Sequence, residues 1–243
     1  MGGRGQYPRR TMILPATVAL VGAVVAGAFA AQLAAQFRAR RRPHALAWAL
    51  SLALYAVGMV ALAAGFALAW TPAGFGVYWL AGALLNVPLL AVGQLHLLWP
   101  DKTPIWWTLA GLATIWALVA VVTTPVDASA LAAADATGGI PLGGEAYGGG
   151  LAWTVLRPLT FGGAVVVLAG TIWSGVRTRR PGILLISLGV AFAASSSAFV
   201  RAGYDELVAV VLTLGVAIMY AGFRSASKPS RRPSSDRTQA SSA

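Results

Sequence analysis

The sequence predicts an all-α fold, a polytopic transmembrane bundle of seven helices, and three observations predict it. Apolar stretches long enough to cross a bilayer fill most of the 243 residues, because a hydrocarbon core of about 30 Å takes about 20 helical residues to span. Charged residues make up 10% of the chain against 58% hydrophobic, with a mean hydropathy of +0.72; a soluble domain would carry about 25% charged residues. Short polar joints separate the stretches, which fall at 12–36, 44–70, 75–99, 104–123, 151–176, 182–200 and 205–223. The domain plan is a short segment 1–11, a transmembrane domain 12–223 and a basic tail 224–243 that reads as disordered.

The first span follows three arginines and passes Ala28-Phe29-Ala30, which resembles a signal-peptide cleavage site. The apolar run continues to Phe37, well past a signal core of about 7–15 residues, so it reads as a retained span ending at Arg38-Ala39-Arg40-Arg41-Arg42-Pro43. The second span opens on Pro43 and His44. In the third, Pro88 removes the backbone donor to the carbonyl of Leu84 and predicts a kink. The fourth carries Trp116 deep in its length, where helix packing is expected to hold it. Loop 124–150 follows, rich in Gly and Ala, with Tyr147 as its one aromatic, and reads as a mobile spacer. The fifth span contains Arg157-Pro158, the sixth Ser195-Ser196-Ser197, and the seventh begins with Asp205-Glu206, which suits a helix N-terminus.

Charge sets the expected orientation. With the N-terminus outside, Arg38, Arg40, Arg41, Arg42, Lys102, Arg177, Arg179, Arg180, Arg224, Lys228, Arg231, Arg232 and Arg237 are cytoplasmic, 13 of 18 basic residues. Loop 124–150 then lies outside with Asp127, Asp135, Glu145 and no basic residue. The positive-inside rule favours this N-out, C-in arrangement. Trp70, Trp79 and Trp153 fall near the outer interface, and Trp48, Trp99, Trp106, Trp107 and Trp173 near the inner one. Arginine dominates lysine and Ala, Gly and Val are abundant, which points to a GC-rich bacterial genome and an inner-membrane home.

Composition also excludes chemistry. With no cysteine, disulfides and thiolate metal sites are impossible. No Walker-type loop, no H-E-x-x-H and no lysine in the seventh span occurs. The expectation is a non-enzyme with no catalytic, cofactor or metal residues. The net charge of +11 is accounted for by topology signals and membrane lipid, with no nucleic-acid partner expected. A protein partner within the membrane is left open, and oligomeric state is unread.

Polar residues inside the membrane are the functional candidates, since hydrocarbon offers them no partner. Asn86 lies near the centre of the third span, where it reads either as interhelical glue or, with Tyr55 and Ser195, Ser196 and Ser197, as part of a midplane ligand site. His96 is a pH-sensitive candidate. Arg157 calls for a counter-ion, and Asp205 or Glu206 on the same side could supply one, anion recognition being the alternative. Gly22-x-x-x-Ala26 and Gly65-x-x-x-Ala69 fit small-residue packing.

The first helix ends Phe37-Arg-Ala-Arg-Arg-Arg-Pro43 and the fifth Val176-Arg-Thr-Arg-Arg-Pro181, each proline opening the next span. Two three-helix units joined by the fourth helix would make a 3+1+3 parallel repeat, and in this the topology is similar to the SWEET and PQ-loop transporters. No Pro-Gln pair occurs, so no residue of that motif carries over. Pro43-His-Ala-Leu-Ala-Trp48 and Ala83-Leu-Leu-Asn86-Val-Pro88-Leu-Leu-Ala-Val-Gly93 look like uncharacterised membrane proteins of GC-rich bacteria, and loosely resemble the seven-helix sensory modules that precede bacterial histidine kinases. The resemblance implies a sensor, scaffold or accessory subunit. The alternative is a small-solute transporter built around Asn86, Tyr55 and Ser195–Ser197.

Overall fold

The computed structural model describes residues 12–179 and 181–226; the segment 1–11 and the tail beyond residue 226 lie outside the described residues. Among the described residues, seven helices are long and apolar enough to cross a membrane: α1 Ile13–Arg40, α2 Pro43–Leu68, α3 Pro72–Leu98, α4 Pro100–Thr123, α6 Leu151–Thr178, α7 Pro181–Ala202 and α8 Asp205–Ala226. A shorter helix, α5 Ala128–Thr137, lies in the joint after α4. The chain is an all-α bundle, with no strand among the described residues.

Six spans form a closed ring. Each packs on the next in the order α1, α2, α3, α6, α7, α8, and α8 returns to α1. Small residues set the close contacts. A Cβ on Gly58 of α2 would lie 2.8 Å from the Gly82 Cα of α3. Gly182 and Gly189 of α7 face Gly222 and Gly215 of α8, where an added Cβ would meet backbone carbonyls at 2.5–2.9 Å. Such approach is how helices associate in lipid, where apolar side chains gain little by leaving an equally apolar solvent. Of the two expected glycines, Gly22 packs against Thr213 and Met59, while Gly65 packs under the Trp70 ring.

The fourth span stands outside the ring. Ala110, Ala117 and Ala120 are its buried residues, a narrow stripe laid on α3 and the start of α6. Trp116 is not packed inside as expected: it is 44% exposed beside Leu112, Ile115 and Val119. A stripe of alanines offers too little area to enclose the opposite face of the helix.

Pro88 and Pro158, the two prolines that lie well inside a span, each sit beside a distortion. In α3 the segment Tyr78–Leu85 is π-helical just before Pro88, and in α6 the segment Arg157–Phe161 is π-helical around Pro158. A π-turn is one way for a helix to absorb a missing donor. The two segments face each other, and the Thr160 hydroxyl donates to the Ala83 carbonyl. The joints after α1 and α6 also match: Arg41 and Arg179 are left-handed caps at φ 49° and 51°, and a proline opens the helix that follows.

Loop 124–150 differs from the spacer expected of its composition. Asp127 caps α5 by accepting from the Ser129 N–H at 2.8 Å, and Gly138 ends the helix at φ 67°. The Asp135 carboxylate accepts from the Trp70 N–H at 2.9 Å, and the Trp70 indole donates to the Gly139 carbonyl at 3.0 Å. Leu131, Ile140, Ala146 and Tyr147 are buried with Phe75 and Trp79, and the Phe75 and Tyr147 rings lie 5.5 Å apart. The loop is a packed cap over one end of the ring. Trp70 and Trp79, expected at a lipid interface, lie beneath it.

Candidate functional site

The buried polar residues of the ring, Ser51, Asn86, Gln94, His96, Thr171 and Ser187, lie on α2, α3, α6 and α7, so the site is built from those. Asn86 is buried as expected, immediately after the π-helical segment. Its backbone carbonyl accepts from the Ser51 hydroxyl at 2.5 Å, whereas its side-chain Oδ1 has no partner. Tyr55 crosses the ring and donates to the Leu212 carbonyl of α8 at 2.8 Å, not to Asn86.

Ser195 and Ser197 do not join them. Both are exposed and bond back to their own helix, at Phe192 and Ala194, as serines in helices do when no partner helix approaches. Ser196 is half-buried on the same turn. The expected constellation of Asn86, Tyr55 and the three serines is therefore not assembled, because this end of α7 turns its serines outward.

Nor does an ion pair join Arg157 to Asp205 or Glu206 among the described residues. Arg157 is exposed at the surface of α6, and Glu206 is exposed on α8. Asp205 lies against the cap instead, where a Cβ on Gly139 would come 2.8 Å from its Oδ2. Starting two spans at the same end of a bundle puts residues at one depth. It does not put them on facing sides.

His96 is buried, its Nδ1 2.8 Å from the Val92 carbonyl and its ring 5.3 Å from Trp107 of α4. Its Nε2 has no partner. No group of three or more metal-ligating side chains occurs among the described residues.

A cluster that sequence reasoning did not assemble lies nearer the end bearing Arg38, Lys102, Arg177 and Arg224. Gln94 of α3 is 2% exposed, and its Nε2 has no protein partner. Its amide lies across α6 at Gly170, where a Cβ would be 2.7 Å from Nε2. Beside it the Thr171 hydroxyl donates to the Val167 carbonyl at 2.7 Å and accepts from the Ser187 hydroxyl of α7 at 2.6 Å. Gln94 and Thr171 line a cavity of about 20 Å³ on the ring axis, walled by Phe29, Leu33, Trp48, Leu52, Met219 and Phe223. Trp48 is fixed there by its indole bond to the Leu90 carbonyl at 3.0 Å, over the side-chain-free Gly93.

The signal was depth. Gln94, Thr171 and Ser187 each lie roughly 6–10 Å from the basic end of their helices, counted at about 1.5 Å per residue. Comparisons of the chain with protein-family models, with curated proteins and with solved structures return no match.

Proposed function

We propose that the chain is a non-enzymatic multi-pass protein of a bacterial inner membrane, N-terminus outside and C-terminus cytoplasmic, acting as a sensor, scaffold or accessory subunit. One observation carries this reading: the ring closes on packed side chains around an axial cavity of about 20 Å³. A path for a solute needs a polar cavity that reaches the midplane from one side, and the cap of loop 124–150 packs over one end of this ring. The partner surface is then the outside of the bundle, where α4 presents Leu112, Ile115, Trp116 and Val119. Lipid contacts the same face and the basic helix ends, and nucleic acid is no partner.

Purification in mild detergent after cross-linking in cells tests the reading. A membrane protein recovered in fixed ratio, and lost on Trp116→Ala with Ile115→Ala, is the expected result. A lone chain that moves a solute across proteoliposome membranes would overturn it.

Small-solute transport is the second reading, favoured by the unpartnered amide atoms Asn86 Oδ1 and Gln94 Nε2 inside the ring. A span outside a ring of three plus three also suits the likeness to SWEET-type topology. On this reading the site moves from Asn86, Tyr55 and the serines to Gln94, Thr171 and Ser187.

A further inference from the structure

We propose that an anionic phospholipid sits between α6 and α7 at the capped end of the ring, its phosphate held by Arg157 and Arg201. The inference goes beyond the role proposed above and does not depend on it. Nearer the basic end the two helices touch: the Ser187 hydroxyl donates to Thr171 at 2.6 Å, and a Cβ on Gly175 would lie 2.6 Å from Leu184. Toward the cap they part. α7 packs on Gly162–Thr178 of α6 and scarcely on Arg157–Phe161. From Thr171 the contact face of α6 continues at helical spacing through Leu168 and Ala164 to Phe161 and Arg157, and the last two are exposed. From Ser187 the contact face of α7 continues to Ala191, Ala194, Ala198 and Arg201, all exposed.

Both faces therefore end in an arginine. Thr171 to Arg157 and Ser187 to Arg201 are each 14 residues, counted in opposite chain directions. In antiparallel helices that meet at Thr171 and Ser187, the two cations thus stand at one level, about 21 Å from that contact at about 1.5 Å per residue. Neither has an ion pair among the described residues. No acid occurs in α6 or α7, and the acids at this end belong to the cap and to α8. Two unpaired guanidinium groups at the mouth of one gap favour an anion between them, and their planar forks suit phosphate. The gap below is apolar, with Phe161 60% exposed, and in a membrane it opens onto hydrocarbon. Free phosphate would leave that space empty. A phospholipid fills both parts, the phosphate on the arginines and an acyl chain against Phe161 and the alanines. An anionic headgroup is selected over a zwitterionic one because no carboxylate of α6 or α7 meets an ammonium group there.

The test is native mass spectrometry of the whole chain released from micelles that contain equal amounts of phosphatidylglycerol and phosphatidylcholine. Retention of phosphatidylglycerol in preference to phosphatidylcholine is the expected result, weakened about fivefold by Arg157→Gln or by Arg201→Gln. Arg38→Gln at the opposite end measures the loss that any exposed cation would cause, and this loss should be smaller. Ala198→Phe fills the gap and keeps both arginines, so it too should lower retention. A loss on Arg157→Gln or Arg201→Gln no greater than on Arg38→Gln, or retention indifferent to Ala198→Phe, would overturn the site. Displacement of the lipid by inorganic phosphate would overturn it as well, by marking a plain anion site, and so would a species of two chains without lipid, which would put a second copy in the gap.

Discussion

Tyr147 shows how the fate of one atom can be read. Its ring is buried in the cap while its hydroxyl has no partner, and burial pushes its pKa up to about 12 from 10.0. The folded chain holds this proton more tightly than the unfolded one. The stability involved is fully present below pH 10 and is lost as pH rises through about 12. Tyr147→Phe is expected to match the wild type in melting temperature at pH 8 or exceed it, since it removes an unpaired hydroxyl. A gap in favour of Tyr147→Phe should open above pH 10. Arg157 gives a second residue-scale expectation. With no ion pair to Asp205, Arg157→Leu and Asp205→Asn should be additive within about 0.5 kcal/mol in a thermal-unfolding cycle; a larger coupling would show that the two groups meet.

At the scale of elements, helix contacts divide the glycines into two kinds. Gly189 faces the Gly215 carbonyl, which a Cβ would approach to 2.5 Å, whereas Gly111 of α4 has nothing within 4 Å. Gly189→Ala is expected to lower stability by about 1–3 kcal/mol through overpacking, and Gly111→Ala to cost nothing. Melting in detergent compares the two directly. Seven spans were legible because their lengths answer to one physical constraint, the thickness of hydrocarbon. The two π-helical segments were half legible, since Pro88 and Pro158 announce a lost hydrogen bond but not how the helix absorbs it. The cap was not legible. Asp135 reads as an ordinary loop acid until the strained turn at Ala69, φ 119°, brings the Trp70 N–H to it. The Gln94 cluster was hidden for a related reason: helical spacing says which residues share a face of one helix, and nothing about which faces of three helices converge.

The whole molecule is a ring with one end capped and the other rimmed by arginine. Its proposed orientation is open to test because the natural chain has no cysteine. Ala132→Cys in the cap and Asp101→Cys at the basic end both replace exposed residues. In intact spheroplasts a membrane-impermeant maleimide should label the first, and the second only after lysis. The reverse pattern would invert the protein in the membrane.

The closing seam joins α1 to α8, where the Thr213 hydroxyl donates to the Val18 carbonyl at 3.0 Å and Gly22 lies beneath Thr213. These two helices are nearly the whole described chain apart in sequence. At about 5–20 residues per second of synthesis, α1 enters the membrane about 10–40 s before the helix that completes its packing. During that interval α1 has α2 against one side, and its other side must be met by lipid or by the insertion machinery. A chain interrupted before α8 would therefore leave an open crescent rather than a smaller ring, and in a living cell such a product is a substrate for membrane proteases.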